Sequence, residues 1–210
     1  MAIEIHPATP QDAPALAEVF LAAFCDSFNR SLFPVTPDVR EWWVKLFTDT
    51  CVKPQSGDIL LKAVDTSAKT ETGEEVIAAF AIWNLPPNDP DAVNQVKHDA
   101  PKWPESSDRA LCDRFFGRME EMREKIVGGR RHYYLDMLGT HPDYHGRGIG
   151  SKLLKWGLEK ADRDNLETYL SASPLGRPLY EKNGFNLLHI DEFRSDYAQA
   201  YMLRPKMRSG

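Results

Sequence analysis

A cluster of glycines stands between an apolar run and a helical pattern in the second half of the chain. Gly146, Gly148 and Gly150 are spaced two residues apart, and the helical pattern starts directly after them. A glycine turn that opens a helix places several free backbone N–H groups in one concave cluster, and the helix dipole adds partial positive charge there. Without a Cβ, these residues let the backbone approach an anion closely. The turn is predicted to bind a phosphate or pyrophosphate.

Two elements must position this turn. Residues Tyr133 to Gly139 are apolar and rich in β-formers, which predicts a buried strand. The strand ends at Thr140–Asp143, because Pro142 removes a backbone donor and Asp143 favours a turn. The helix that follows has a broad apolar face formed by Ile149, Leu153, Leu154, Trp156, Leu158 and Ala161.

Three known motifs compete for a glycine turn of this kind. A P-loop requires a Lys after its last glycine, and none stands there. The dinucleotide fingerprint Gly-x-Gly-x-x-Gly has a different spacing. The third motif is the Gln/Arg-x-x-Gly-x-Gly/Ala turn of the GNAT superfamily of acetyl-CoA-dependent N-acetyltransferases. His145-x-x-Gly148-x-Gly150 resembles it and departs from it only at His145.

A second segment carries the same resemblance. Leu179–Phe185 reads LYEKNGF and is similar to the Leu-Tyr-Glu-Lys-x-Gly-Phe signature of that superfamily. One amphipathic helix and one short strand lie between the two segments, which is the order the superfamily uses. The resemblance is specific over residues 132–188.

The resemblance implies an α/β (α+β) fold. We expect a mixed, mostly antiparallel central sheet of about six to seven strands flanked by helices, with a helical insertion before the fourth strand. Residues 1–205 are predicted to form a single N-acetyltransferase domain, with the insertion at 86–129. The proline-rich segment 86–105 opens this insertion, with one helical turn near Ala92–Val96, and a helix follows from Ser107.

Periodicity and turn residues predict the remaining elements. Helices are expected to start at Thr9-Pro10 and at Thr36-Pro37, with a short one at Arg177–Lys182. Strands are expected at Ile3–Ile5, Ile59–Val64, Val76–Trp83, Glu167–Ser171, Asn186–Ile190 and Ala200–Leu203.

Composition favours a cytoplasmic globular protein. The chain is 42% hydrophobic and 27% charged, with a net charge of −5, which argues against a nucleic-acid partner and mildly favours a cationic acceptor. It has no apolar run long enough to cross a membrane and no signal-peptide pattern at its start. Cys25, Cys51 and Cys112 are predicted to be reduced packing residues, and no metal site is expected.

Acyl transfer to an amine requires a neutral amine, a stabilised oxyanion and a proton for the departing thiolate. The resemblance implies that acetyl-CoA is the co-substrate and that the Leu138 N–H polarises its thioester carbonyl. Tyr180 matches the general acid of many relatives, and an ordinary phenol pKa suits that role. Ser173 stands where relatives often carry an Asn that contacts the cofactor. The other predicted cofactor contacts are Gly139 and Thr140 for pantetheine, and His145, Gly146, Arg147, Gly148, Ile149, Gly150 and Ser151 for the phosphates.

The general base is left open between three possibilities. Strand alternation predicts that His132, Tyr134, Asp136 and Leu138 share one face. His132 titrates in a useful range but equally suits an exposed strand end. Asp136 is costly to bury in an apolar strand, so a role at the cleft is expected: either a base acting through water or a site for the ammonium group. Ordered water without a single base is the third possibility.

The resulting prediction is an acyltransferase that acetylates the primary amine of a small molecule. The alternatives are a protein lysine or N-terminal acetyltransferase, and an acyl-CoA-binding sensor without catalysis. No nucleic-acid or membrane partner is expected, and the chain is expected to be a monomer or a homodimer.

Overall fold

The computed structural model describes residues 2–52, 57–71, 73–86 and 102–207. Within these ranges, seven strands form one sheet in the order β1-β2-β3-β4-β5-β7-β6. All neighbouring strands are antiparallel except β4 and β5, which are parallel. The strands are β1 (Ile3–Pro7), β2 (Asp58–Lys69), β3 (Glu75–Asn84), β4 (His132–Thr140), β5 (Glu167–Ala172), β6 (Asn186–Arg194) and β7 (Tyr197–Arg204).

Six α-helices accompany the sheet in the described ranges. They are α1 (Ala13–Ala23), α2 (Ser27–Leu32), α3 (Pro37–Val52), α4 (Arg109–Ile126), α5 (Ile149–Arg163) and α6 (Arg177–Glu181). The strands and helices predicted within these ranges are confirmed, with small shifts at their ends, and α2 is an element that was not predicted. No helix in the described part of the chain is both long and apolar enough to span a membrane.

Local signals explain where the first helices start. The Asp12 carboxylate accepts from the Thr9 backbone N–H at 2.7 Å, which stabilises the turn that leads into α1. Asp26 caps α2 by accepting from the backbone N–H groups of Phe28 and Asn29. Asp is an ordinary N-cap residue, so Asp26 could have been used to predict the start of α2 from the sequence.

The helices cover both faces of the sheet. On one face, α1, α2, α3 and α4 bury an aromatic-rich cluster that includes Phe20, Trp43, Phe80 and Phe115. On the other face, α5 packs Leu153, Leu154 and Leu158 against Trp83 and Leu135. Burying both faces in this way is what makes a central sheet the core of the domain.

Part of the predicted insertion lies outside the described residues. These are 87–101, which include the helical turn expected near Ala92–Val96. The helix expected from Ser107 is present as α4, with Asp108 as its cap. The single domain over 1–205, with an insertion at 86–129, stays a prediction.

The three thiols are free, but they do not share one environment. Cys112 is buried, and burial, followed by the nearby Asp108 and Asp113, raises its pKa to about 12. Such a thiol remains protonated and acts as a packing residue. Cys51 is half-buried. Cys25 is exposed, so its predicted packing role is wrong.

Two helical glycines give a test of the packing. An alanine Cβ at Gly157 in α5 would lie 2.3 Å from ring atoms of the fully buried Trp83, whereas a Cβ at Gly117 in α4 would meet no atom within 4 Å. Gly157→Ala is expected to lower the free energy of unfolding by about 1–3 kcal/mol through overpacking. Gly117→Ala should raise it by roughly 0.5–1 kcal/mol through helix propensity. Urea denaturation measures both, and a stabilised Gly157→Ala variant would contradict the packing described.

Candidate active site

The parallel strands β4 and β5 pair only at their beginnings. Their register runs from His132↔Glu167 to Leu135↔Leu170 and then stops. On its other side, β4 stays paired with β3 as far as Thr140↔Ala79. The edge of β4 that faces β5 therefore has no strand partner after Leu135 within the part of the chain that the structure describes. A cleft opens between the two strands at this point, with backbone donors and acceptors along one wall.

A β-bulge marks the start of the cleft. The pairs Trp83↔Leu135 and Ile82↔Met137 leave Asp136 as an extra residue in β4. The bulge reverses the alternation, because Leu135 and Leu138 both pack on the α5 side of the sheet, whereas Tyr134 packs near α4. The prediction that His132, Tyr134, Asp136 and Leu138 share one face is therefore wrong.

The cleft leads into a cavity of about 90 Å³ on the face covered by α1 to α4. Its described wall includes Asp136 from β4, Ser171 and Ser173 from and just after β5, and Tyr180 from α6. Asp136 is the one charged residue among the described residues that line it. The rest of the wall is dominated by aromatic side chains, including Phe20, Phe24, Phe33, Trp43, Phe115 and Phe116.

Tyr180 reaches this cavity because the second motif folds the chain back on itself. Gly184 takes φ +84°, and the backbone N–H groups of Asn183 and Phe185 both donate to the Tyr180 carbonyl. The returning Phe185 ring then packs edge-on against Tyr180 at 5.8 Å between centroids. Only glycine adopts such a φ without strain, which explains the Gly-Phe pair of the motif.

The Tyr180 side chain is 7% exposed, and its hydroxyl has no hydrogen-bond partner among the described residues. Burial raises its pKa above the ordinary value. This differs from the sequence-based expectation that no shift is needed. A phenol with a raised pKa stays protonated at neutral pH, so it can donate a proton but cannot serve as a base.

Asp136 is exposed, so it does not bear the desolvation cost that burial in an apolar strand would bring. Its carboxylate is hydrogen-bonded to Tyr134, whose pKa lies well above the ordinary value because of burial and then the charge of Asp136. The Arg123 guanidinium lies 4.9 Å from the centre of the Tyr134 ring. A carboxylate has acceptor sites for more than one donor, so this arrangement orients Asp136 and leaves it able to bind an ammonium group.

His132 lies away from the cavity. It begins β4 opposite Glu167, at the end where the two strands are still paired, and it is not part of the described wall. Its Nδ1 is 2.7 Å from the Arg130 carbonyl, and burial lowers its pKa. The structure therefore does not bring His132 together with Tyr180 and Asp136.

The glycine turn has the backbone shape that its sequence predicts. Gly146 and Gly148 both take φ +73°, and an added Cβ at either would meet nothing within 4 Å. The left-handed conformation, and not crowding, favours glycine at these two positions. The first helical hydrogen bond of α5 runs from the Lys152 N–H to the Gly148 carbonyl at 3.1 Å. The N–H groups of 149–151 precede it and have no partner within the described chain.

Side chains fix the turn against the end of β4. The His145 Nε2 is 3.0 Å from the Thr140 carbonyl, so the residue that departs from the family motif braces the turn through its side chain. The Arg147 guanidinium lies 4.8 Å from the centre of the Tyr144 ring. A Cβ at Gly150 would be in ordinary contact with Leu138, at 3.4 Å. Ser173 Oγ accepts from the Gly176 N–H at 3.2 Å and so shapes the loop before α6.

Comparison with known proteins agrees with this geometry. Residues 114–187 match the family model described as an acetyltransferase (GNAT) domain. The chain carries a GNAT acetyltransferase domain. The match spans the bulge, the glycine turn and Tyr180. The protein is therefore an acyltransferase.

Individual proteins resemble this chain in sequence or in fold. It is 24% identical over 190 residues to an acetyltransferase of Stachybotrys chartarum, covering 86% of this chain and 79% of the relative. Its fold is similar to a Corynebacterium glutamicum protein described as histone acetyltransferase HPA2 and related acetyltransferase, with a TM-score of 0.60, 24% identity, and 100% and 99% of the two chains covered. It also resembles the PaiA N-acetyltransferase of Thermoplasma acidophilum, solved with coenzyme A, with a TM-score of 0.54, 16% identity, and 99% and 100% covered.

The acetyltransferase cavity also contains polar residues that sequence analysis did not single out. Asn29 and Gln199 line it, and both are buried. Trp43 lines it too, and its Nε1–H is buried without a hydrogen-bond partner among the described residues. Asn29 could have been found through the Asp26 cap of α2. Gln199 carries no local signal, because only the tertiary fold brings β7 next to the cavity.

Proposed function

We propose that the protein transfers an acetyl group from acetyl-CoA to the primary amine of a small molecule. The observation that carries this proposal is the placement of Tyr180 and Asp136 in the wall of one cavity, at the point where β4 and β5 separate. A protonated phenol and a carboxylate are the two groups that acetyl transfer to an amine can use: one donates to the departing thiolate, and the other attracts the amine.

The residues of β4 and the glycine turn fit acetyl-CoA. The unpaired edge of β4 at Leu138, Gly139 and Thr140 offers backbone groups to the pantetheine arm. The N–H groups at the start of α5 and the open space over Gly146 and Gly148 suit the pyrophosphate. Arg147 would bind an outer phosphate, and Ser173 would contact the arm from the far wall. Bound here, acetyl-CoA supplies the activated acetyl group.

Two side chains divide the remaining chemistry. Tyr180 would act as the general acid, since burial keeps its hydroxyl protonated. Asp136 would bind the ammonium form of the acceptor and then receive its proton, directly or through water. His132 has no part in this proposal, because it lies outside the described cavity wall.

The cavity favours a small acceptor over a protein. The cavity of about 90 Å³ lies under four helices, and its described wall is formed mainly by aromatic side chains. An engineered cavity of about 150 Å³ holds one benzene molecule, so this space suits a short chain. The Corynebacterium glutamicum relative is described as a histone acetyltransferase, so a protein acceptor is the alternative to test.

A combined binding and turnover experiment tests the proposal. Calorimetry measures acetyl-CoA binding, and thiol release is then followed over arylalkylamines, polyamines, amino sugars, amino acids and lysine-containing or free-N-terminal peptides. Turnover on a small amine that is lost in Tyr180→Phe supports the proposal. Turnover on peptides alone would identify a protein acetyltransferase, and binding without any turnover would identify a sensor.

A further inference from the structure

Two side-chain hydrogen bonds lie at the wall of the cavity. Asn29 Nδ2 donates to Asp26 Oδ2 at 2.6 Å, and the Tyr197 hydroxyl donates to Gln199 Oε1 at 2.9 Å. Asn29, Tyr197 and Gln199 all line the cavity. Burial raises the pKa of Tyr197, so its hydroxyl stays protonated and can donate to Gln199.

The hydrogen bond between Tyr197 and Gln199 fixes the orientation of the Gln199 amide. Because the Gln199 carbonyl accepts from Tyr197, the Nε2 amide points elsewhere. Gln199 is 3% exposed and lines the cavity, and its Nε2 has no hydrogen-bond partner in the described part of the chain. Gln199 lines the cavity, so Nε2 is the group that it can offer to a ligand there. A neutral N–H donor in an apolar cavity favours a ligand with a hydrogen-bond acceptor.

The charges of the cavity restrict the acceptor further. Asp136 is the one charge on the described wall, so one ammonium group can be paired there. A second ammonium would lose its water without gaining a carboxylate, and a carboxylate on the ligand would find no Lys, Arg or His among the described residues that line the cavity. Both kinds of second charge are therefore unfavourable, and the aromatic walls favour an apolar body.

The two polar ends lie on different strands. Asp136 is in β4 and Gln199 is in β7, with β5 between them. The cavity that both residues line has a volume of about 90 Å³, which limits the ligand to a short carbon chain.

We propose, resting on the acetyl transfer proposed above, that the acceptor is a short primary monoamine whose far end carries a neutral hydrogen-bond-accepting atom bound by Gln199. Asp136 selects the amine, the aromatic wall encloses its carbon chain, and Gln199 Nε2 donates to the far atom. Ethers, carbonyls and hydroxyls at that position meet this requirement.

Four matched amines test the proposal by calorimetric titration in the presence of CoA, which needs no turnover. Pentylamine and 3-methoxypropylamine have equal chain length and differ by one CH₂ replaced by oxygen. The ether is expected to bind to the wild-type protein about 10-fold more tightly than pentylamine does. A factor of about 10 is the upper end of the net free energy that one hydrogen bond contributes. The diamine 1,5-diaminopentane and the zwitterion 5-aminopentanoate should bind at least 10-fold more weakly than pentylamine, because each brings a second charge.

Two variants show whether Gln199 is the residue responsible. Gln199→Met removes the donor at similar volume, so it should bind pentylamine in preference to the ether. Gln199→Glu keeps an acceptor for Tyr197 and adds a negative charge, so it should bind 1,5-diaminopentane at least 10-fold more tightly than the wild type does. Circular dichroism checks that both variants are folded.

The outcomes separate this inference from the proposed function. Equal binding of the ether and the alkylamine to the wild type, or no binding of either, would overturn the inference even if other amines are acetylated. An unchanged ether preference in Gln199→Met would overturn the role of Gln199. The expected binding order without acetylation of any amine would instead refute the proposed function and leave the binding inference standing.

Discussion

Tyr180→Phe is expected to turn over acetyl-CoA about 10²–10⁴ times more slowly than the wild type, which is the usual contribution of general acid catalysis. The substitution removes one hydroxyl and keeps the ring that packs against Phe185. That hydroxyl has no hydrogen-bond partner in the described chain, so the variant should unfold at the same urea concentration as the wild type or higher. Steady-state kinetics should show a lower kcat with little change in the KM for acetyl-CoA.

Tyr133→Phe is the matched control. Tyr133 is also buried in this half of the sheet, but its hydroxyl donates to Asp164 at 2.5 Å on the α5 side, away from the cavity. Loss of this hydroxyl should lower the free energy of unfolding by about 1–3 kcal/mol and leave kcat near the wild-type value. A Tyr180→Phe variant with nearly full kcat would remove this phenol from the mechanism and leave water to protonate the thiolate.

The pH profile gives a second measure of the same assignment. The acid must be protonated to act, and burial raises the pKa of Tyr180 above its ordinary value of about 10. Activity that depends on it is therefore present below that pKa and is lost only as the pH rises through it. The wild-type kcat should show no descending limb below about pH 10. A limb near pH 8 that disappears in Tyr180→Phe would contradict the buried environment of this phenol.

Local sequence patterns predicted most of the fold because they act over a few residues. The glycine turn needs a left-handed backbone at Gly146 and Gly148, and the second motif needs one at Gly184, so glycine at those positions by itself indicates a turn. Of the elements in the described ranges, the seven strands and five of the six helices follow in the same way from periodicity and caps.

The geometry of the site depends on contacts that no local pattern records. The bulge at Asp136 arises from how β3 pairs with β4, and it changes which side chains face the cavity. Simple alternation therefore misplaced Leu138, and His132 was assigned to a cleft that opens only beyond Leu135. Gln199 and Trp43 meet at the cavity through the tertiary fold, although they lie in β7 and α3.

Gly148→Asp is expected to raise the KM for acetyl-CoA by roughly 10- to 100-fold. Gly148 is the left-handed cap of α5, and a Cβ placed there would meet no atom within 4 Å. Asp tolerates this conformation better than most residues, so the fold should be kept. The added charge would face the pyrophosphate, and two like charges about 4 Å apart repel by about 1 kcal/mol in water and about 4 kcal/mol near a protein surface.

Gly148→Asn separates charge from backbone strain. Asn has the same shape as Asp and the same tolerance for the left-handed region, but it is neutral. Its KM for acetyl-CoA should stay within a few-fold of the wild-type value, because only the strain of a non-glycine residue remains. Raising the salt concentration should narrow the gap between the two variants, since screening weakens exposed charge repulsion. If Asp and Asn raise KM equally, the turn does not face the pyrophosphate, because backbone strain alone would then explain both.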